Sequence, residues 1–198
     1  MKEIIRLKIS LDHSAPLIWR EVIVRSDISF TELHHTIQLM MNWQNYHLFE
    51  FSTEGYRIGL IFDDGIDDSL DSNHLLDANT TLLRDIIIDK GELIGYVYDF
   101  GDYWKHTIEV LGFTDVLPGE YYPVCMNGEM ACPPDDSGGI HQYYLYLEIL
   151  NDKKHPEYDS LKTWMPRGFK ADKCDLVKIN KQLLTIKSYI RRWQKRNL

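Results

Sequence analysis

No stretch of this chain approaches the roughly 20 consecutive apolar residues that a membrane-crossing helix requires, so no membrane partner is expected. Cysteine is scarce: Cys125, Cys132 and Cys174 are irregularly spaced. The opening "MKEIIRLKIS" alternates like a strand instead of showing a signal peptide's charged start and apolar run. A disulfide framework is therefore not expected, and a reduced, cytoplasmic location is. Structural zinc usually takes a ligand pair two to four residues apart, whereas Cys125 and Cys132 have six residues between them, so no metal is assigned. The chain also lacks G-x-G-x-x-G after a strand, a Walker lysine loop, H-E-x-x-H and G-x-S-x-G, which removes the easily recognised enzyme classes. The acidic "DDGIDDSLDSN" fails the calcium-loop template, because no glycine stands sixth from a suitable first Asp and no Glu twelfth.

Positive charge is short as well, and unevenly placed. The formal net charge is −8, yet Lys173 to Leu198 carries eight Lys or Arg against one Asp, +7, which leaves −15 for Met1 to Asp172. An acidic body repels a phosphate backbone, so nucleic-acid contact is disfavoured for everything except the C-terminal segment.

What is present is a well-marked alternation of periods. Ile5, Leu7, Ile9 and Leu11 share one face of a first strand, and "PLIWREVIVRSD" reads as a second. Ser29 and Glu32 then form a capping box before Phe30, Leu33, Ile37, Met40 and Met41 at helical spacing. "HLFEFSTEGYRIGLIF" returns to strand alternation, "TTLLRDIII" suits a short helix or turn, and "GELIGYVYDFGDYWKHTIEVLGF" reads as two strands joined at "DFGD". On the second of these Trp104, His106, Ile108 and Val110 share a face. "IHQYYLYLEIL" resembles a helix, and Leu176, Ile179, Leu183, Ile186, Ile190 and Trp193 form an apolar stripe on a basic helix over about residues 175–196. At 198 residues the chain can bury about 70% of its unfolded surface. The expected architecture is α+β, a mainly antiparallel sheet packed with helices, as a single domain over 1–198.

Several polar residues stand in unusual places. His34 sits among the apolar positions of the first helix, and His47 alternates with Phe49 and Phe51, so both are expected to face apolar surroundings. Asp99, Asp102 and His106 flank one turn, where the carboxylates either hold a cation or satisfy backbone donors. Trp104 is expected in the core. "ACPPDDSGG" concentrates Cys132, two prolines, Asp135, Asp136 and two glycines, a composition that suits neither helix interior nor central strand. It is either a rigid connector or the wall of a site.

Taken together, "PLIWREVIV", "TELHHTIQLMMNW", "HLFEF", "YVYDFGDYWKHTIEV", "CMNGEMACPPDDSGG" and "INKQLL" resemble the family named for the third open reading frame of an Ri plasmid, whose members are also called insertion-element passengers and TnpR-like proteins. The resemblance implies an α+β fold with an antiparallel sheet and carries no established reaction. The matched polar positions are His34, His47, Asp99, Asp102, Trp104, His106, Cys132, Asp135 and Asp136. Three positions depart from the family pattern: Phe49 replaces a histidine, Asp135 a glutamate and Ser137 a cysteine, which weakens any metal site built there. The nucleophilic serine, arginine-rich centre and DNA-binding module of a serine recombinase cannot be assembled from this chain.

These residues support three functions. The first is a binding module for a small ligand or a protein segment, with the two loops and a histidine lining one polar cleft. The second is a metal-assisted hydrolase using the Asp residues as ligands and His106 as acid or base. The third is a nucleic-acid contact through the basic C-terminal helix. No cofactor or substrate follows from the residues.

Overall fold

The computed structural model describes residues 3–61, 75–116 and 119–197. The acidic segment over 63–73 lies outside the described residues. Strands β1 (Ile4–Leu11) and β2 (Trp19–Arg25) pair antiparallel, and Ile5, Leu7, Ile9 and Leu11 are all buried, as the alternation requires. Each such side chain withdrawn from water is worth about 1.5–3 kcal/mol before entropy is set against it. Helix α1 (Phe30–Met41) begins at the expected capping box: the Glu32 amide donates to Ser29 Oγ at 3.2 Å, and the Ser29 amide donates to Glu32 Oε2 at 3.0 Å.

The long strand-like segment after α1 is a hairpin, β3 (Phe49–Thr53) and β4 (Tyr56–Gly59), reversed at Gly55 with φ +89°. Then follow β5 (Leu75–Asp77), α2 (Leu83–Ile86), β6 (Leu93–Tyr98), β7 (Trp104–Thr114) and β8 (Val124–Glu129). Helices α3 (Gly139–Asn151), α4 (Tyr158–Trp164), α5 (Leu176–Leu183) and α6 (Ile186–Asn197) complete the order. The strands form one sheet, β5-β4-β3-β6-β7-β1-β2-β8, antiparallel at every pairing except β4 with β5. Among the described residues no helix is long and apolar enough to cross a membrane.

The apolar stripe expected on one C-terminal helix is divided between two. Thr185 interrupts it: its amide and hydroxyl both donate to the Gln182 carbonyl, at 2.8 and 2.7 Å. This local bonding competes with helix continuation. The phase survives the break, since Ile179, Leu183 and Ile186 are all buried.

Candidate functional site

The connector around Cys132 is folded onto the turn between β6 and β7. Gly138 donates its amide to Asp102 Oδ2 at 2.8 Å, and Gly139, at φ +81°, lies so close that a Cβ there would meet the Asp102 carbonyl oxygen at 2.6 Å. Only glycine allows both that φ and that approach. The other end is pinned by Trp43 Nε1, which donates to the Pro133 carbonyl at 2.9 Å, and by Ser137 Oγ, which donates to the Pro134 carbonyl at 2.6 Å. The connector is thus held where its carboxylates meet the segment before β3.

At that meeting point His47 Nε2 lies 2.8 Å from Asp136 Oδ1 and 3.5 Å from Asp99 Oδ2. Ligand-type atoms of His47, Asp99 and Asp136 all fall within 4.8 Å of one another. Asp99 and Asp136 adopt φ of +56° and +58°, a conformation Asp tolerates better than most residues. Asp135 is buried beside them: its Oδ2 accepts from the Gln44 amide at 2.8 Å and from the Tyr98 hydroxyl at 3.4 Å, while Oδ1 has no hydrogen-bond partner. Burial raises the Asp135 carboxyl, the Gln44 amide opposes, and the neighbouring Asp136 charge raises it further. For His47, burial acts downward, but the hydrogen bond to Asp136 and the fields of Asp99, Asp136 and Asp135 outweigh it, and its pKa is raised.

His47 therefore differs from the apolar setting expected of it. It precedes β3, with a side chain 35% exposed, and faces carboxylates. The alternation read through Phe49 and Phe51 begins only at Phe49. Around this polar centre Tyr46, Leu48, Phe100 and Tyr103 are exposed.

The remaining sequence candidates are placed elsewhere. Asp102 fastens the connector. Trp104 and His106 face the core, where His106 packs against Trp43 and Tyr96 and its Nδ1 bonds the Trp104 carbonyl at 3.0 Å. Burial lowers its pKa to about 4, and it is not one of the groups gathered at the triplet. Cys132 is buried against Arg20, and burial pushes its thiol up to about 11. The three cysteines are free, and among the described residues none joins a cluster of metal-ligating side chains.

His34 belongs to a buried chain of polar groups whose directions are mutually consistent. Gln38 Nε2 donates to the Tyr96 hydroxyl at 3.3 Å, and that hydroxyl donates to His34 Nδ1 at 2.8 Å. His34 Nε2 then donates to Asn45 Oδ1 at 2.6 Å, and Asn45 Nδ2 donates to His35 Nδ1 at 3.2 Å. These directions are consistent with both imidazoles being neutral. Desolvation holds them so: His34 is lowered well below its usual value and His35 to about 4. Of this unit the sequence nominated His34, through its place among the apolar positions of α1; His35, Asn45 and Tyr96 were not singled out.

Between α6 and β3 lies a cavity of about 460 Å³, walled by Leu48, Phe49, Leu60, Ile61 and Trp193, with His47 and Asn45 among its polar groups. It joins the two polar centres, since Asn45 belongs to the buried chain and His47 to the carboxylates.

An eight-stranded, mostly antiparallel sheet with its helices, carrying an imidazole and carboxylates gathered from three distant segments, defines an α+β protein with a built polar centre. The chain belongs to the plasmid pRiA4b ORF-3-like protein family, whose model matches residues 3–178. It is 32% identical over 161 residues to the uncharacterized protein y4hQ of Sinorhizobium fredii, covering 81% of this chain and 80% of that one. It also resembles the crystal structure of MM3350, a protein of unknown function from Methanosarcina mazei Go1, with a TM-score of 0.78 and 31% identity over 88% of this chain and 96% of the other.

Proposed function

We propose that this protein is a binding module for a small ligand with an apolar body and a cationic or hydrogen-donating end. The observation that carries this is the cavity of about 460 Å³ that shares His47 with the Asp99–Asp136 pair. Apolar walls with a few convergent polar groups are the usual composition of a small-molecule site. The walls suit a hydrocarbon or ring, and the carboxylates at the His47 end favour positive charge. Three free thiols suit a reducing cytoplasm, and the plasmid origin of the family's name supports a passenger role on mobile elements.

A thermal-shift screen of hydrophobic amines against the full chain tests this. A hit is expected to raise the melting temperature in wild type, to lose its effect in Trp193→Ala and to weaken in Asp136→Asn. Hits that stabilise both variants as much as wild type, or a screen without hits, count against the module.

A second reading rests on the triplet itself. One imidazole and two carboxylates within 4.8 Å are a donor set for a divalent cation, which would activate water for hydrolysis. Such binding would displace the proton that the raised His47 pKa retains. Calorimetry with Mn²⁺ and Zn²⁺ should then show uptake that strengthens as pH rises and disappears in Asp136→Asn. No uptake at any pH removes the hydrolase.

A further inference from the structure

A second cavity lies on the other side of the connector, between β2 and α5, and shares no residue with the first. Its volume is about 190 Å³. Arg20, which lines it, is only 2% exposed. The guanidinium donates through Nη1 to the carbonyls of Trp19 and Glu129, at 2.7 and 2.8 Å, and through Nη2 to the Met130 carbonyl at 2.8 Å. Its remaining contact is Cys132 Sγ at 3.1 Å, and its Nε has no partner. Among the described residues no carboxylate pairs with Arg20.

Carbonyl dipoles hold a cation in place without neutralising it. Cys132 does not neutralise it either, because burial keeps that thiol protonated, with a pKa of about 11. A buried charge without a counterion is costly and is normally found paired. The rest of the lining adds to the imbalance. Arg167, Lys173 and Lys178 also border the cavity, against one acidic side chain, Asp175, so the lining totals 4 − 1 = +3 in a chain whose net charge is −8. Asp175 is itself occupied, its Oδ1 accepting from the Lys178 amide at 2.9 Å as the cap of α5.

We propose that this cavity binds a multivalent oxyanion of the phosphate class, with Arg20 as the fixed buried charge and Arg167, Lys173 and Lys178 closing on it from the surface. The volume suits a single phosphoryl group. Two sources present that chemistry, a free phosphate or phosphate monoester and the backbone of a nucleic acid. The second connects with the basic α5 and α6, whose charge the acidic body does not share.

The test is calorimetry and thermal unfolding of the full chain with inorganic phosphate, against potassium chloride at matched ionic strength. At ten times its Kd, phosphate is expected to raise the melting temperature by roughly 3–6 °C. The double variant Lys173→Gln/Lys178→Gln, altered only at exposed positions, is expected to bind at least tenfold more weakly and still fold. Arg20→Met, if it folds, is expected to abolish binding. A response to phosphate no larger than to chloride, or one unchanged in the double variant, overturns the site. Anisotropy with a labelled single-stranded oligonucleotide separates the sources. Binding that the double variant abolishes assigns the phosphate to a polynucleotide, whereas phosphate binding without oligonucleotide binding assigns a small molecule. Because the His47 cavity uses other residues, failure here leaves the amine screen unaffected, and the reverse holds.

Discussion

Gly139 and the buried histidines are the residues on which the chemistry of this molecule most directly depends. A side chain at Gly139 must accept φ +81° and displace the Asp102 carbonyl, so Gly139→Ala is expected to cost at least about 1–3 kcal/mol. Urea denaturation measures that, and loss of the His47–Asp136 contact should accompany it. The histidines govern the response to acid. Burial lowers His34, His35 and His106, the latter two to about 4, whereas the unfolded chain takes up their protons near 6.5. The unfolded state thus binds more protons in that window, and stability is complete above pH 6.5 and falls as pH drops toward 4. Each group contributes up to about 1.4 kcal/mol per pH unit. Urea midpoints between pH 7 and 4.5 should show this, and His35→Gln should reduce the slope by about one proton; a flat profile would contradict the buried neutral imidazoles. His47 acts in the opposite sense. Its raised pKa makes the pairing with Asp136 complete below 6.5 and lost as pH rises through the folded value, and Asp136→Asn should lower its NMR titration midpoint. The composition of the Cys132 connector made Asp135 and Asp136 visible as candidates. Arg20 was not nominated, because its place on the buried face of β2 with Val22 and Val24 is seen only once the strand is folded.

At the level of elements, α1 depends on its cap. Ser29→Ala removes the acceptor for the Glu32 amide and is expected to cost about 1 kcal/mol. Thermal unfolding checks this, and Ser29→Asp should restore most of the loss. The capping box, the β6–β7 pair and the alternation of β1 were legible because each is a local pattern. Local chemistry also hid some elements. The strand β8 contains Asn127 and Gly128, residues that suit turns, and it lies at the sheet edge, where they are tolerated. The division of α5 from α6 escaped the apolar stripe because the break at Thr185 preserves its phase. His47 was misplaced because period-two spacing does not say where a strand begins.

For the whole molecule, the order of the sheet decides both the site and the way it is reached. Asp99 and Asp136 meet His47 only because β3 pairs with β6 and the connector folds back over the β6–β7 turn. No local pattern encodes a meeting of positions 47, 99 and 136, so the sequence nominated these residues without showing which of its nine candidates converge. Such non-local pairing predicts slow folding, on the order of milliseconds to seconds. Stopped-flow refolding measures it, and microsecond refolding would be inconsistent with this topology.

Strand β1 sits inside the sheet, with β2 on one side and β7 on the other, and Ile4 pairs with Thr114 across 114 − 4 = 110 positions. During synthesis at about 5–20 residues per second, its second edge stays open for roughly 5–20 s after its first has closed. Over that interval the nascent chain presents an unsatisfied ladder on a ribbon of isoleucine and leucine, and the ribosome exit is where this protein is most exposed to association with the wrong neighbour.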